Sequence, residues 1–458
     1  MAAKKKQVDV LLVPHPAQGH VFPMLKLAQK LTDHGISVTV VNFDFVHLKI
    51  VPEEQSNGGS GIKLVSVPNG FGSDFNDSNP TMITDCVEKV LPVHLRKLLI
   101  DEHQQEFSWV IADAFLSAAF VVAKEKGIRT TAFWTASMEN LASILRIPQL
   151  IQDGTIDENG SLINEDLPIS LCREIPSWKA NELPWSCQPD EIQSFMFRRY
   201  YVNPAKYFAL FDCFIVNSFH ELEHSAFQLY PNILPIGPLV TNSTSIGSFW
   251  RQDPTCLTWL DKHPRRSVIY VAFGSISALN PRQFQELAMG LEMTGKPFLW
   301  VIRAGFVKGV LGSSESDVEF PDGFLERVAN RGKIVKWSNQ AEVLSHPSVA
   351  CFVSHCGWNS TLDGLWSGVP FLCWPNFTDQ FHNTESICKT WKVGMKLKVE
   401  GDTGLITMLE IASKVGEMFD DESIRDNANG LMGMATESVN EGGSSFCNFQ
   451  KFINKLCS

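Results

Sequence analysis

Short apolar runs alternate with segments of helical spacing along most of the chain. Residues 8–13 form an apolar stretch that ends at Pro14-His15-Pro16. Met24, Leu27, Ala28 and Leu31 follow at the spacing of one helix face, and Gly35 stands where such a helix stops. Val38, Val40 and Phe43 then alternate with Thr39 and Asn42. This β-α-β opening predicts a parallel sheet covered by helices. Residues 109–112 read as a further buried strand ending at Asp113, followed by a helix over 115–126, a strand over 130–134 and a strand closing at Val216. Residues 151–195, rich in Asp, Glu, Pro and Asn, read as long surface loops.

The pattern changes near residue 236. Ile236-Gly237-Pro238 leads into the polar stretch Thr241-Asn242-Ser243-Thr244-Ser245, which suits a linker. A second β-α-β series then begins, with strands over 267–273, 298–302, 333–337, 349–354 and 370–374 and a helix over 281–295. A last helix spans 446–456. The class is α/β. The predicted organisation is a Rossmann-like domain over 1–236, a linker over 237–253, a second Rossmann-like domain over 254–440, and a helix over 441–458 that returns to the first domain. The two domains are expected to face each other across a cleft lined by strand-to-helix loops, because open parallel sheets bind ligands at the carboxyl ends of their strands.

Composition narrows the function. The 458 residues carry a formal charge of −11, and the only short basic run is Lys4-Lys5-Lys6, which argues against nucleic acid. The 11 cysteines are scattered without a CxxC pair, so neither a disulfide framework nor a structural zinc site is expected, and a reducing compartment is. The start mimics a signal peptide, but its apolar run is short and lacks a small-residue cleavage site. No apolar run of about 20 residues is present, so no membrane span is expected. The expected location is cytoplasmic. Sequons at Asn242 and Asn359 carry little weight without a secretory signal.

The segment 337–380 concentrates the chemistry. It contains Trp337-Ser338-Asn339-Gln340, then His355-Cys356-Gly357-Trp358-Asn359-Ser360, then Asp379-Gln380. His355 stands at the carboxyl end of a buried strand, Gly357 permits close backbone approach, and Asn359-Ser360 opens the next helix. Backbone N–H groups, a hydroxyl and an imidazole around a helix N-terminus favour a phosphate. Trp337 offers a flat face for a base, and Asp379 with Gln380 can bind sugar hydroxyls. A nucleotide sugar satisfies these features together. Taken singly, Trp337 and Trp358 read equally as core residues and His355 as a structural histidine.

The whole string resembles the signature box of plant secondary-product UDP-glycosyltransferases, the family-1 enzymes of the two-Rossmann GT-B fold, and in particular the group 83A branch. The likeness extends to Pro14-His15-Pro16-Ala17-Gln18-Gly19-His20 and to residues 268–275. It implies that Trp337 stacks on uracil and Gln340 fixes the nucleoside, with Ser338 and Asn339 in the same donor set. It implies that His355, Gly357, Asn359 and Ser360 hold the diphosphate with Ser275 and Ser277, and that Trp358 touches the sugar through its backbone. Asp379 and Gln380 would bind glucose hydroxyls, and Thr135 the distal hydroxyl. Gln380 at the last position of the box is the family's usual choice for UDP-glucose. One departure stands out: where the family carries Glu to bind the ribose, this chain has Asp363, one methylene shorter, which makes a bridging water plausible.

His20 and Asp113 form a second constellation. Both stand at carboxyl ends of strands in one predicted sheet. The resemblance implies a catalytic dyad, with His20 as general base on the acceptor hydroxyl and Asp113 orienting its ring. The implied reaction is an inverting, metal-independent transfer that gives a β-glucoside. The implied partners are UDP-glucose and a small hydroxylated acceptor, such as a phenolic, flavonoid or terpenoid. No cofactor is implied beyond the donor, no metal site is expected, and the chain would act as a monomer. Phe115, Trp134 and Met138, and residues near Phe75 or Phe197, are candidate acceptor contacts; each reads at least as well as core or loop cover. The rival His15 lacks the Gln-Gly-His context. A nicotinamide-dependent oxidoreductase would require Gly-x-Gly-x-x-Gly after the first strand, and residues 14–20 lack it. A glycoside hydrolase would require paired carboxylates, whereas Asp113 and Asp379 fall in separate halves. A non-catalytic relative would not need both the dyad and the box.

Overall fold

The computed structural model describes residues 8–55, 61–76, 79–100, 106–164, 166–186, 190–240, 249–307, 319–401 and 404–458. Lys4-Lys5-Lys6 and the polar stretch 241–245 of the expected linker lie outside the described residues. The chain divides into two compact units. The first comprises residues 1–164, 187–249 and 437–458, and the second residues 165–186 and 250–436.

The first unit is built on seven parallel strands: β1 (Asp9–Val13), β2 (Ser37–Phe43), β3 (Ile62–Val67), β4 (Trp109–Asp113), β5 (Arg129–Trp134), β6 (Cys213–Val216) and β7 (Leu234–Pro235). Their spatial order is β3-β2-β1-β4-β5-β6-β7. Strand β1 pairs with β2 on one side and β4 on the other, so the order reverses between β1 and β4. Both β1 and β4 are almost wholly buried, which is why they read as continuous apolar runs and not as alternating ones. The helix Gln18–Asp33 buries Val21, Met24, Leu25, Leu27, Ala28 and Leu31 on one face. It stops where Gly35 adopts φ +77° and lets Ile36 N–H reach back to Leu31 O.

Residues 444–457 complete this unit. The helix Ser444–Cys457 buries Phe449, Phe452, Ile453 and Leu456 in the same core as β1 and Trp109. The Trp109 indole N–H donates to Leu456 O at 3.2 Å.

The second unit has six parallel strands: β8 (Val268–Ala272), β9 (Phe298–Val301), β10 (Gly332–Val335), β11 (Val349–Ser354), β12 (Phe371–Cys373) and β13 (Gly394–Lys396). Their order is β10-β9-β8-β11-β12-β13, with the reversal between β8 and β11. Each sheet therefore splays its loops apart at its middle, where open parallel sheets bind ligands.

Three expectations need correction. Residues 165–186 belong to the second unit and not to the first. They are also not merely surface loop: Ile169 and Trp178 form an antiparallel bridge, Trp178 and Trp185 are fully buried, and Trp178 stacks on His382 at 4.3 Å. Residues 237–240 and Phe249, assigned to the linker, cluster with the first unit, where Leu239 is buried in its core and its N–H donates to Asn217 Oδ1.

Candidate functional site

The reversal point of the first sheet brings His20 and Asp113 together. His20 lies in the first turn of the helix after β1, and Asp113 ends β4. His20 Nδ1 is 2.6 Å from Asp113 Oδ2, and Asp113 is 1% exposed. The other carboxylate oxygen accepts Phe115 N–H at 3.0 Å, which fixes the plane of the acid. A carboxylate on Nδ1 requires the proton to sit there, so Nε2 carries the lone pair. Thr135 Oγ1 lies 3.0 Å from the same Nδ1, which ties β5 into the group.

Aromatic rings enclose this pair. Phe115, half-buried, packs 5.6 Å from His20 and 5.1 Å from Trp134 between ring centroids. His15 lies 5.1 Å from His20 and 5.8 Å from Tyr200, and Tyr201 lies 6.3 Å from Phe115. Trp134 and Met138 are fully buried, and the Trp134 indole N–H is committed to Ser137 O. Trp134 packs behind Phe115. Burial holds the His15 imidazole down at a pKa of about 3, with the nearby His20 acting in the same direction. His15 is thus a neutral ring beside the dyad. Tyr200 and Tyr201 stand close to Phe197, whose neighbourhood the sequence offers for the acceptor, although no motif marks the two tyrosines individually.

The second sheet's reversal point gathers the 337–380 segment. His355 follows β11 directly, and its Nε2 is held between two glycines. A Cβ on Gly274 would stand 2.7 Å from that atom, and one on Gly357 2.6 Å. Burial, with the Arg303 guanidinium adding to it, lowers the His355 pKa to about 4. Gly357 caps the helix Trp358–Trp366 and has no side chain to bond its first N–H groups. The first turn of a helix presents N–H donors of the kind that suit a phosphate. Cys356 (φ 63°) and Thr378 (φ 53°) adopt left-handed backbone in the loops after β11 and β12. Such strain costs on the order of 1–3 kcal/mol per residue and gathers at functional loops.

Hydrogen bonds connect the remaining residues of the box. Gln340 Nε2 donates to Ser360 Oγ at 3.0 Å and to Asp363 Oδ2 at 2.9 Å, so the shorter acid is joined to its neighbours. Ser338 Oγ is 2.9 Å from Tyr270 OH, and Asn339 caps the helix Gln340–Leu344 through Glu342 N–H. These two act as braces. Trp337 is half-buried beside Trp250, with ring centroids 6.0 Å apart. Asp379 Oδ2 accepts from Asn383 Nδ2, which also donates to Cys356 O, so Asn383 ties together the loops after β11 and β12. Gln380 Oε1 accepts two backbone N–H groups, from Asn376 at 2.9 Å and Phe377 at 3.3 Å. That assigns the amide: Gln380 can offer a ligand only its NH2 group. Ser275 is half-buried and Ser277 buried in the loop after β8. Among the described residues, no group of three or more His, Cys, Asp or Glu could hold a metal ion. No helix among them is long and apolar enough to cross a membrane.

Two Rossmann-like units whose reversal points carry these constellations define a GT-B glycosyltransferase class. The profile of the family "UDP-glucoronosyl and UDP-glucosyl transferase" matches residues 192–437. The chain is 37% identical to UDP-glycosyltransferase 83A1 of Arabidopsis thaliana, over 98% of this chain and 97% of that protein. Medicago truncatula UGT71G1, solved in complex with UDP-glucose, superposes with TM-score 0.84 at 25% identity, covering 100% of both chains. Phytolacca americana UGT2, solved with UDP-2fluoro-glucose and pterostilbene, gives TM-score 0.80 at 26% identity over 99% of this chain and 100% of that one. The chain belongs to the UDP-glucoronosyl and UDP-glucosyl transferase family and is a plant family-1 UDP-glycosyltransferase of the 83A type.

Proposed function

We propose that the chain transfers glucose from UDP-glucose to a hydroxyl of a small, largely apolar plant metabolite, with inversion at the anomeric carbon. The observation that carries this reading is the His20–Asp113 pair at the first sheet's reversal point. Its Nε2 lone pair is directed away from the carboxylate and is suited to take the proton of an acceptor hydroxyl. As the acceptor oxygen attacks, the buried Asp113 carboxylate favours the imidazolium that forms. Negative charge then develops on the departing diphosphate. The N-terminus of the helix Trp358–Trp366, which has no side-chain cap, and the His355 imidazole are suited to receive it. An α-linked donor gives a β-glucoside in one displacement.

Glucose is supported by Gln380, whose fixed amide offers a donor to a sugar oxygen, and by the UDP-glucose bound to the Medicago protein. A flat, apolar acceptor is supported by the aromatic enclosure of His15, Phe115, Tyr200 and Tyr201, and by the pterostilbene bound to the Phytolacca protein. The test is to incubate the chain with UDP-glucose and a panel of phenolic and terpenoid alcohols and to follow UDP release. His20→Ala is expected to abolish transfer and preserve UDP binding; turnover retained in that variant overturns the assigned base.

A further inference from the structure

A charge that the residues named above do not account for packs against the loop after β8. Arg303, directly after β9 and its Ile302 neighbour, is 8% exposed. Its guanidinium donates from Nε to Gly274 O at 3.3 Å, from Nη2 to Ser277 O at 2.8 Å, and from Nη1 to Ala304 O at 2.8 Å. The fork thus grips the loop 274–277 at both ends. All three acceptors are neutral carbonyls, and no carboxylate among the described residues forms an ion pair with Arg303. Burial alone pulls its pKa down from the ordinary arginine value. A buried cation without a counter-ion is unfavourable unless something anionic completes the site.

The surroundings point the same way. Ser277 Oγ and His355 Nδ1 are buried polar atoms without a hydrogen-bond partner among the described residues. His355 is close enough to Arg303 for the guanidinium to disfavour its protonation. The imidazole is therefore neutral at physiological pH and can offer a diphosphate only an N–H dipole. Arg303 is the charged group that acts on His355 here.

We propose that Arg303 is a positioning residue for the donor's diphosphate: its fork shapes the 274–277 loop, and its charge, paired with no carboxylate among the described residues, attracts the diphosphate dianion through that loop. The inference rests on the reading that the loop after β8 and His355 hold the diphosphate. It adds a source of electrostatic attraction for a dianion within a chain whose formal charge is −11.

The test uses the full chain and calorimetric titration with uridine and with UDP-glucose, whose diphosphate keeps its charge across neutral pH. In Arg303→Gln, UDP-glucose affinity is expected to fall about tenfold or more while uridine affinity stays within about twofold. Arg303→Lys, which keeps the charge and loses the fork, is expected to recover most of that loss. A purely structural brace predicts the reverse, with Lys as weak as Gln. Arg303→Met serves as the neutral variant if Gln does not fold. UDP-glucose binding within twofold of wild type in a folded neutral variant overturns the proposal, as does a chain that folds only with arginine. A His355→Ala arm separates the two readings. Loss there with retention in Arg303→Gln refutes Arg303 alone, and retention in both refutes the diphosphate site.

Discussion

Replacing Asp113 by Asn tests the dyad at its most sensitive atom. The substitution preserves volume and leaves an oxygen to accept Phe115 N–H, which donates to Oδ1 at 3.0 Å. Satisfying that donor turns the new amide NH2 toward His20 Nδ1, where the carboxylate now sits at 2.6 Å. Nδ1 must then accept, the ring proton moves to Nε2, and the lone pair needed for the acceptor hydroxyl is lost. The charge is lost as well. Two unit charges about 4 Å apart interact by about 4 kcal/mol at an effective dielectric near 20. His20 is 24% exposed, which reduces that figure to about 3 kcal/mol of imidazolium stabilisation. The electrostatic part alone predicts a fall of about two orders of magnitude in kcat, and the tautomer change adds to it. The assay is initial-rate UDP release from UDP-glucose with a phenolic acceptor, alongside calorimetry with UDP. UDP affinity is expected to stay unchanged, because Asp113 lies in the other unit from the 337–380 segment. A loss of kcat below tenfold, with the chain folded, refutes the roles given to both residues.

Gly357→Ala places a methyl 2.6 Å from His355 Nε2 and is expected to displace the imidazole. UDP affinity should fall about tenfold and stability by about 1–3 kcal/mol, read by calorimetry and thermal melting. Gln380→Glu keeps an acceptor for Asn376 and Phe377 N–H but removes the only donor the side chain offers; KM for UDP-glucose should rise while UDP binding holds, and an unchanged KM counts against the sugar contact. Asp363→Glu is expected to keep or tighten UDP binding, and a clear loss of affinity by calorimetry counts against a ribose role. His15 remains neutral in the folded chain down to about pH 3, whereas an unfolded imidazole protonates near 6.5. The unfolded chain binds the extra proton between those values, so stability is lost as pH falls from about 6.5 towards 3, by about 2 kcal/mol at pH 5 from this residue. His15→Phe should flatten that part of the denaturation profile, with a loss identical to wild type as the refuting result.

The sequence was most informative where burial on both faces wrote a strand as an unbroken apolar run. Strands β1, β4, β8 and β11 are of this kind, and they are the four that frame the two reversal points. Strand β3 lies at a sheet edge with much of its length partly exposed, and β13 is only three residues long, so neither stood out. Composition misled at 165–186, where charged and proline residues surround two buried tryptophans, one of which, Trp178, stacks on His382 far along the chain. The residues of the box were legible as a string. Their division of labour was not, because it depends on which atoms the backbone already occupies: the Gln380 oxygen is spent on two N–H groups, and Asn339 on a helix cap. Arg303, Asn383 and Tyr200 had no motif of their own, since each acts through partners brought close only by folding.

The helix Ser444–Cys457 sets an order of events during synthesis. Phe449, Phe452, Ile453 and Leu456 fill the core built on β1, yet they leave the ribosome after every strand of both sheets. Each such side chain contributes about 1.5–3 kcal/mol when fully buried. The sheet that begins the chain must therefore wait, with an open seam along Trp109, while the second unit is made and can close. Vectorial translation thus favours completing the unit with the 337–380 segment before the unit with His20 and Asp113, although the latter is encoded first.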